Sequence, residues 1–142
     1  MKIVIYRDLH NEFTEFNPPI LNVDLVILAG DIHVNTHGVH WAGRHFPSTQ
    51  VLYILGNHEY YKGAYPRTLE KIRAQATPLT AAYATNLEEL IIEYKPAYWI
   101  HRYTHKSSHY KIGCTNVICN PRGYDPDAFN LNFNERRIIE IP

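Results

Sequence analysis

The sequence lacks the features that mark several protein classes. Only two of its 142 residues are cysteines, Cys114 and Cys119, and their spacing fits neither a zinc knuckle nor a disulfide framework. No apolar run approaches the about 18 residues that a membrane-spanning helix needs, and no basic segment followed by an apolar one opens the chain. These absences predict a soluble protein of the reducing cytoplasm.

Net charge is lacking as well. Lys and Arg together number 14, as do Asp and Glu, so overall charge would not attract nucleic acid or an anionic membrane. Neither partner is therefore favoured. The length and the 45% of hydrophobic residues are those of one globule with a real core, and we expect a single domain over residues 1–142. The nine histidines are many for this length, and histidine is the commonest protein metal ligand.

Short apolar, β-branched runs predict three buried strands, Lys2–Tyr6, Asp24–Ala29 and Val51–Leu55. Between the last two, apolar residues at helical spacing predict a helix that stops at Pro47. Pro66 suits the first position of a second helix. These elements predict an α/β fold with a mixed sheet.

The second half of the chain predicts a third helix that begins near a capping box formed by Thr85 and Glu88. Pro96 ends it, and a strand at Tyr98–His101 and a hairpin over residues 110–119 follow. Residues 137–141 predict a last edge strand. The intervening residues 120–134 are polar and rich in Pro, Gly and Asn, which predicts a surface loop.

Polar motifs follow the first three predicted strands directly. They are Asp8-Leu9-His10, Gly30-Asp31 and Gly56-Asn57-His58-Glu59. Each alone is more often structural, because Asp and Gly are ordinary turn residues. Their recurrence at the carboxyl ends of successive strands, where α/β sheets gather functional groups, favours a metal site.

The order D-x-H, G-D, G-N-H-E resembles that of the calcineurin-like metallophosphoesterase family. The family's last signature, G-H-x-H, corresponds here to Arg102-Tyr103-Thr104-His105, and the resemblance spans nearly the whole chain. It implies a metallophosphoesterase-type mixed β-sheet core in α-β-β-α layers with flanking helices. The 42 residues from 59 to 100 are fewer than is usual in the family, so the core is expected to be truncated.

The resemblance also implies a set of metal ligands. Asp8, His10, Asp31 and His105 match the ligands of a first metal, and Asp31 and Asn57 match two ligands of a second. Tyr103 stands where the second metal's histidine is expected, and its mid-chain histidine has no counterpart. We therefore expect one firmly held divalent transition metal, Mn, Fe or Zn, and a second with an incomplete site.

Several groups could replace the missing ligands of the second metal. Tyr103 could bind as a phenolate, His33 or His101 could reach in, or a partner chain could supply a ligand. His33, with His37 and His40, reads more simply as a solvated or packed helix face. Arg102 could hold a phosphate, block the pocket or point to solvent.

The implied activity is hydrolysis of a small phosphomonoester or phosphodiester by a metal-bound water. Asp31 would bridge the metals, His58 would assist the leaving oxygen, and Glu59 would orient His58. The alternative is a catalytically degenerate metal-binding or interaction protein on the same scaffold. The loss of central strands also predicts a homodimer in which a second copy covers the truncated side.

Overall fold

The computed structural model describes residues 1–64, 66–75, 92–101 and 106–141. The beginning of the predicted third helix, with its capping box, lies outside the described residues. Arg102, Tyr103 and His105 lie outside them too, so their predicted roles stay predictions.

The main sheet has four strands in the order β3-β2-β1-β9. β1 (Lys2–Tyr6), β2 (Leu25–Ala29) and β3 (Gln50–Ile54) are parallel, with Ile5 opposite Ile27 and Ile27 opposite Leu52. β9 (Ile138–Glu140) runs antiparallel to β1. The apolar runs of β1 and β2 form strands because a sheet covered on both faces buries the side chains on both sides of its central strands. The predicted α/β fold with a mixed sheet is confirmed.

Two further sheets lie beside the main one. β4 (Tyr98–Ile100), β6 (Thr115–Cys119) and β5 (Ser108–Ile112) form a three-stranded sheet in that order, in which β5 and β6 are the predicted hairpin. β7 (Gly123–Tyr124) and β8 (Ala128–Phe129) form a two-stranded ribbon.

Side chains of the main sheet alternate between two cores, as the period of two in a strand requires. Val4 and Tyr6 face α1 (His37–His45) and α2 (Arg67–Gln75), where Trp41 is buried. Ile3 and Ile5 face the second sheet and pack with Ile118. The described layers are thus helices, main sheet and second sheet. The described residues form these three layers, and the predicted fourth layer stays a prediction.

The prediction of a surface loop over residues 120–134 is wrong in part. Asn120 and Arg122 are buried, and the segment contains the β7-β8 ribbon. Residue 123 must be glycine, because its φ is +82° and an added Cβ would lie 2.5 Å from the carbonyl oxygen of Ala128. The segment is held in the interior by pairing with Arg7, the residue directly after β1. The Arg122 N–H donates to the Arg7 carbonyl at 3.1 Å.

Among the described residues, the helices are too short to cross a membrane.

Candidate metal centre

The loops after β1 and β2 are joined by backbone hydrogen bonds. Asp8 N–H donates to the Gly30 carbonyl at 3.0 Å, and His10 N–H donates to the Asp31 carbonyl at 3.1 Å. Asp8, His10 and Asp31 have φ values of 47°, 46° and 54°, in the left-handed region that side chains disfavour. Such strain costs of order 1–3 kcal/mol per residue and persists where surrounding contacts enforce it, typically at functional sites.

These turns bring three predicted ligands together in what we call the inner cluster, Asp8, His10 and Asp31. One ligand atom from each lies within 4.8 Å of the others, and the residues are only 2%, 1% and 6% exposed. Within the described part of the chain, Nε2 of His10 is buried and has no hydrogen-bond partner. Two buried carboxylates beside an unsatisfied imidazole nitrogen form an arrangement that a cation would stabilise.

Glu59 supports the inner cluster from beneath. Its fully buried carboxylate accepts N–H groups from Gly56 at 2.7 Å, Ile32 at 2.8 Å and Asp31 at 3.2 Å, and the hydroxyl of Tyr53 at 3.0 Å. Burial raises the pKa of Glu59, and the backbone hydrogen bonds oppose that rise. Glu59 thus ties the loop after β3 to the loop after β2.

A second group, the outer cluster, consists of His10, Glu12 and His58. Glu12 Oε1 lies 2.5 Å from Nδ1 of His58 and 3.5 Å from Nδ1 of His10, and the two Nδ1 atoms are 3.3 Å apart. Burial favours a protonated Glu12, but its hydrogen bonds to the two imidazoles prevail and lower its pKa to about 2. His58 is joined to the inner cluster, because its N–H donates to Asp31 Oδ1 at 2.9 Å.

Tyr124 covers both histidines. Its ring stacks on that of His10 with centroids 4.1 Å apart, and its hydroxyl is 3.4 Å from Nε2 of His58. Burial, together with the charges of Asp31 and Asp8, raises the pKa of Tyr124. A cleft of about 480 Å³ opens beside it, lined by Glu12, Phe13, Tyr124, Asp125, Pro126, Asp127 and Ala128. An organic group could therefore lie next to the clusters.

Two contacts differ from the simplest picture of a metal site. The guanidinium of Arg7, buried like its partner, forms a salt bridge with Asp8 and also donates to the His101 carbonyl at 2.9 Å. Asn57 is exposed, and its amide donates to the hydroxyl of Tyr61 at 3.0 Å. The positive charge beside Asp8 is thus the Arg7 guanidinium, and the Asn57 amide is hydrogen-bonded outside the inner cluster.

The other predicted site residues that the structure describes make their contacts outside the inner cluster or support it. His33 Nδ1 is 3.9 Å from Glu12 Oε2, and its ring packs 5.0 Å from that of His37. His101 has its ring 6.3 Å from Tyr110. In the described structure, the Glu59 carboxylate forms hydrogen bonds with three backbone groups and Tyr53 rather than with the His58 ring.

Glu12, Tyr124 and Arg7 were not among the site residues predicted from the sequence. A signal existed for Glu12, a carboxylate two residues after a predicted ligand, and for Arg7, a charge at the end of an apolar strand. No local signal marks Tyr124, because it reaches the site through pairing between segments more than 100 residues apart.

No protein-family model matches the chain, and no curated protein matches it. Among solved structures, the fold is similar to that of a conserved uncharacterized protein from Streptococcus pneumoniae TIGR4, described as a predicted phosphoesterase. The two share 14% identity with a TM-score of 0.48, over 88% of this chain and 76% of the other.

Proposed function

We propose that the protein is a metal-dependent phosphoesterase that hydrolyses a small phosphomonoester or phosphodiester. The observation that carries the proposal is the inner cluster, in which Asp8, His10 and Asp31 converge while Nε2 of His10 is buried without a hydrogen bond among the described residues. Burying such a nitrogen without a partner costs free energy, and a bound metal ion would offset that cost.

The donor set fits a divalent transition metal. Two carboxylates and an imidazole suit Mn, Fe or Zn, which accept mixed oxygen and nitrogen ligands. When bound, such a metal lowers the pKa of water and withdraws charge from phosphoryl oxygens. His105 is the fourth ligand that we predict for it, and Asp31 is the group predicted to be shared with a second ion.

His58 is the predicted catalytic group for proton transfer. It is held against the inner cluster by its backbone N–H bond to Asp31, and its ring lies between Glu12 and Tyr124. The cleft lined by Phe13 and Tyr124 would receive the alcohol part of the substrate. A proton donor placed at this point would assist departure of the alcohol oxygen.

A degenerate binding protein is the second candidate, and two observations favour it. Arg7 neutralises part of the charge that Asp8 would give to a metal, and Asn57 is exposed. A protein of this kind would hold one metal or none and would not turn over phosphoesters.

Reconstitution tests the two candidates against each other. The full chain is stripped with chelator, loaded separately with Mn²⁺, Fe²⁺ or Zn²⁺, and assayed with 4-nitrophenyl phosphate and bis(4-nitrophenyl) phosphate. The phosphoesterase predicts metal-stimulated turnover that Asp31→Asn removes and that Asp24→Asn, at the opposite end of β2, retains. Absence of turnover with every metal would favour the binding protein.

The homodimer remains part of the proposal. β3 is an edge strand of the described main sheet, and exposed edges invite pairing. Light scattering over a range of micromolar concentrations should give twice the 16.6 kDa chain mass. A monomer at every concentration would rule the dimer out.

A further inference from the structure

We propose that Glu12 is the positioning residue of His58: its carboxylate holds the ring by Nδ1, so that Nε2 is the nitrogen that serves the leaving group. This inference rests on the proposed phosphoesterase function, and Glu12 belongs to none of the strand-end motifs.

The contact between the two side chains fixes where the proton lies. Glu12 Oε1 is 2.5 Å from His58 Nδ1, closer than the 3.3 Å between the Nδ1 atoms of His58 and His10. A carboxylate can only accept a hydrogen bond, so His58 Nδ1 must carry the proton. The Glu12 side chain is 13% exposed and that of His58 is 8% exposed, which shields this charge-assisted bond from water.

Glu59, the residue next to His58, cannot take this role in the observed arrangement. Both of its oxygens are engaged by three backbone N–H groups and the Tyr53 hydroxyl. Turning Glu59 toward the imidazole would leave those buried donors unsatisfied, at about 1–3 kcal/mol each. Glu12 is thus the carboxylate available to orient the ring.

The other ring nitrogen, Nε2, lies beside Tyr124, which lines the cleft that would receive the alcohol. Nε2 of His58 is 3.4 Å from the hydroxyl of Tyr124, and Tyr124 and Glu12 both line the cleft. Without the bond to Glu12, the ring could rotate about its side-chain torsions and exchange the two nitrogens. The carboxylate therefore sets which nitrogen meets the substrate.

The step that this arrangement assists exchanges one bond at phosphorus for another. Water oxygen forms a bond to phosphorus, and the bond from phosphorus to the leaving oxygen breaks with its electron pair on that oxygen. The proton on His58 Nε2 passes to the leaving oxygen, which departs as the alcohol. The proton released by the attacking water goes to solvent, and solvent restores the proton on Nε2.

Leaving groups of different basicity test the inference. Phenoxide needs a proton more than 4-nitrophenoxide does, so losing the positioning of His58 should slow phenyl phosphate hydrolysis more. We expect Glu12→Gln to lower kcat about 10- to 100-fold for phenyl phosphate and less than about 3-fold for 4-nitrophenyl phosphate, with KM little changed. Glu12→Asp should recover part of the loss, because it keeps the carboxylate. If diesters are the better substrates, the methyl aryl diesters replace these probes.

Glu15→Gln is the matched control, since Glu15 lies in the same loop but is exposed and pairs with Arg44 at 3.1 Å. It should leave both rates unchanged. Equal losses for the two leaving groups in Glu12→Gln, or none, would overturn the inference while leaving the phosphoesterase intact. An inactive wild-type protein would instead overturn the proposed function and this inference with it.

Two readouts are independent of turnover. Nitrogen-15 NMR of the metal-free protein near neutral pH should show a hydrogen-bonded proton on His58 Nδ1, and that hydrogen bond should be lost in Glu12→Ala. A bare Nδ1 in the wild type would contradict the proposed contact. Glu12→Gln should also keep the metal content of the wild type, and loss of one equivalent would make Glu12 a metal ligand instead.

Discussion

The inner and outer clusters share His10 but are built by different means. Asp8, His10 and Asp31 are placed by backbone turns at strand ends, which hydrogen bonds between the loops and Glu59 hold in place. Glu12 and His58 meet through side chains, and Tyr124 stacks on His10 with its hydroxyl near His58. We expect the inner cluster to fail as a whole when one group is lost, and the outer cluster to lose rate without losing metal.

Removing a charge from the inner cluster should have the largest effect. In Asp31→Asn the amide oxygen can still accept the His58 N–H, so the fold should persist, but the anionic ligand that we propose is lost. Metal affinity should fall at least about 100-fold, beyond what loss of a supporting group costs. Calorimetric titration with Mn²⁺ measures this, with Asp24→Asn as control. Unchanged affinity would place the metal elsewhere.

Removing the support beneath the inner cluster should cost stability. Glu59→Gln turns one accepting oxygen into a donor facing backbone N–H groups, which leaves buried donors unsatisfied. We expect a loss of about 3 kcal/mol in the free energy of unfolding, measured with urea. Glu70→Gln, on the exposed side of α2, should change it little. An unchanged free energy of unfolding in Glu59→Gln would mean that the loops hold together without the carboxylate.

The contribution of the outer cluster to the free energy of unfolding should depend on pH in the acid range. The pKa of Glu12 is lowered from 4.5 to about 2, so its stabilisation is present above pH 4.5 and lost as the pH falls toward 2. Over that window the wild type should lose on the order of 2 kcal/mol more than Glu12→Gln in the free energy of unfolding. Parallel losses would show that Glu12 gains no stabilisation from the imidazoles.

Asn57 should give the smallest effect. Its side chain is exposed and bonded to Tyr61, so Asn57→Ala should change metal content by nothing and kcat by less than about 3-fold. Metal content per chain and initial rates measure both. A loss comparable to that of Asp31→Asn would establish Asn57 as a ligand of the second metal.

The same contrast explains what could be predicted from sequence. β1, β2 and β3 follow from uninterrupted apolar runs, and the residues after them could be placed at one sheet edge because parallel strands end together. Arg122 and Tyr124 could not be placed, because a polar segment rich in Pro and Gly looks like a loop locally. Arg122 is buried where the distant carbonyls of Leu9 and Thr14, together with the nearby Asp125 carboxylate, accept its N–H groups.

The identity of the partner of His58 was missed for a related reason. Glu59 is adjacent to His58 in sequence and is predicted to orient its ring. The Glu59 carboxylate instead accepts hydrogen bonds from neighbouring backbone N–H groups. Glu12 is 46 residues away and contacts the ring instead. Spacing along the chain locates strand ends well, but it does not say which of two carboxylates a side chain will meet.

Anomalous scattering from crystals of the full chain soaked in Mn²⁺ tests the central claim most directly. The account predicts a peak within bonding distance of Asp8, His10 and Asp31, with Glu12 and His58 outside the first coordination sphere. A peak confined to other histidines, or none at the inner cluster at saturating Mn²⁺, would contradict it.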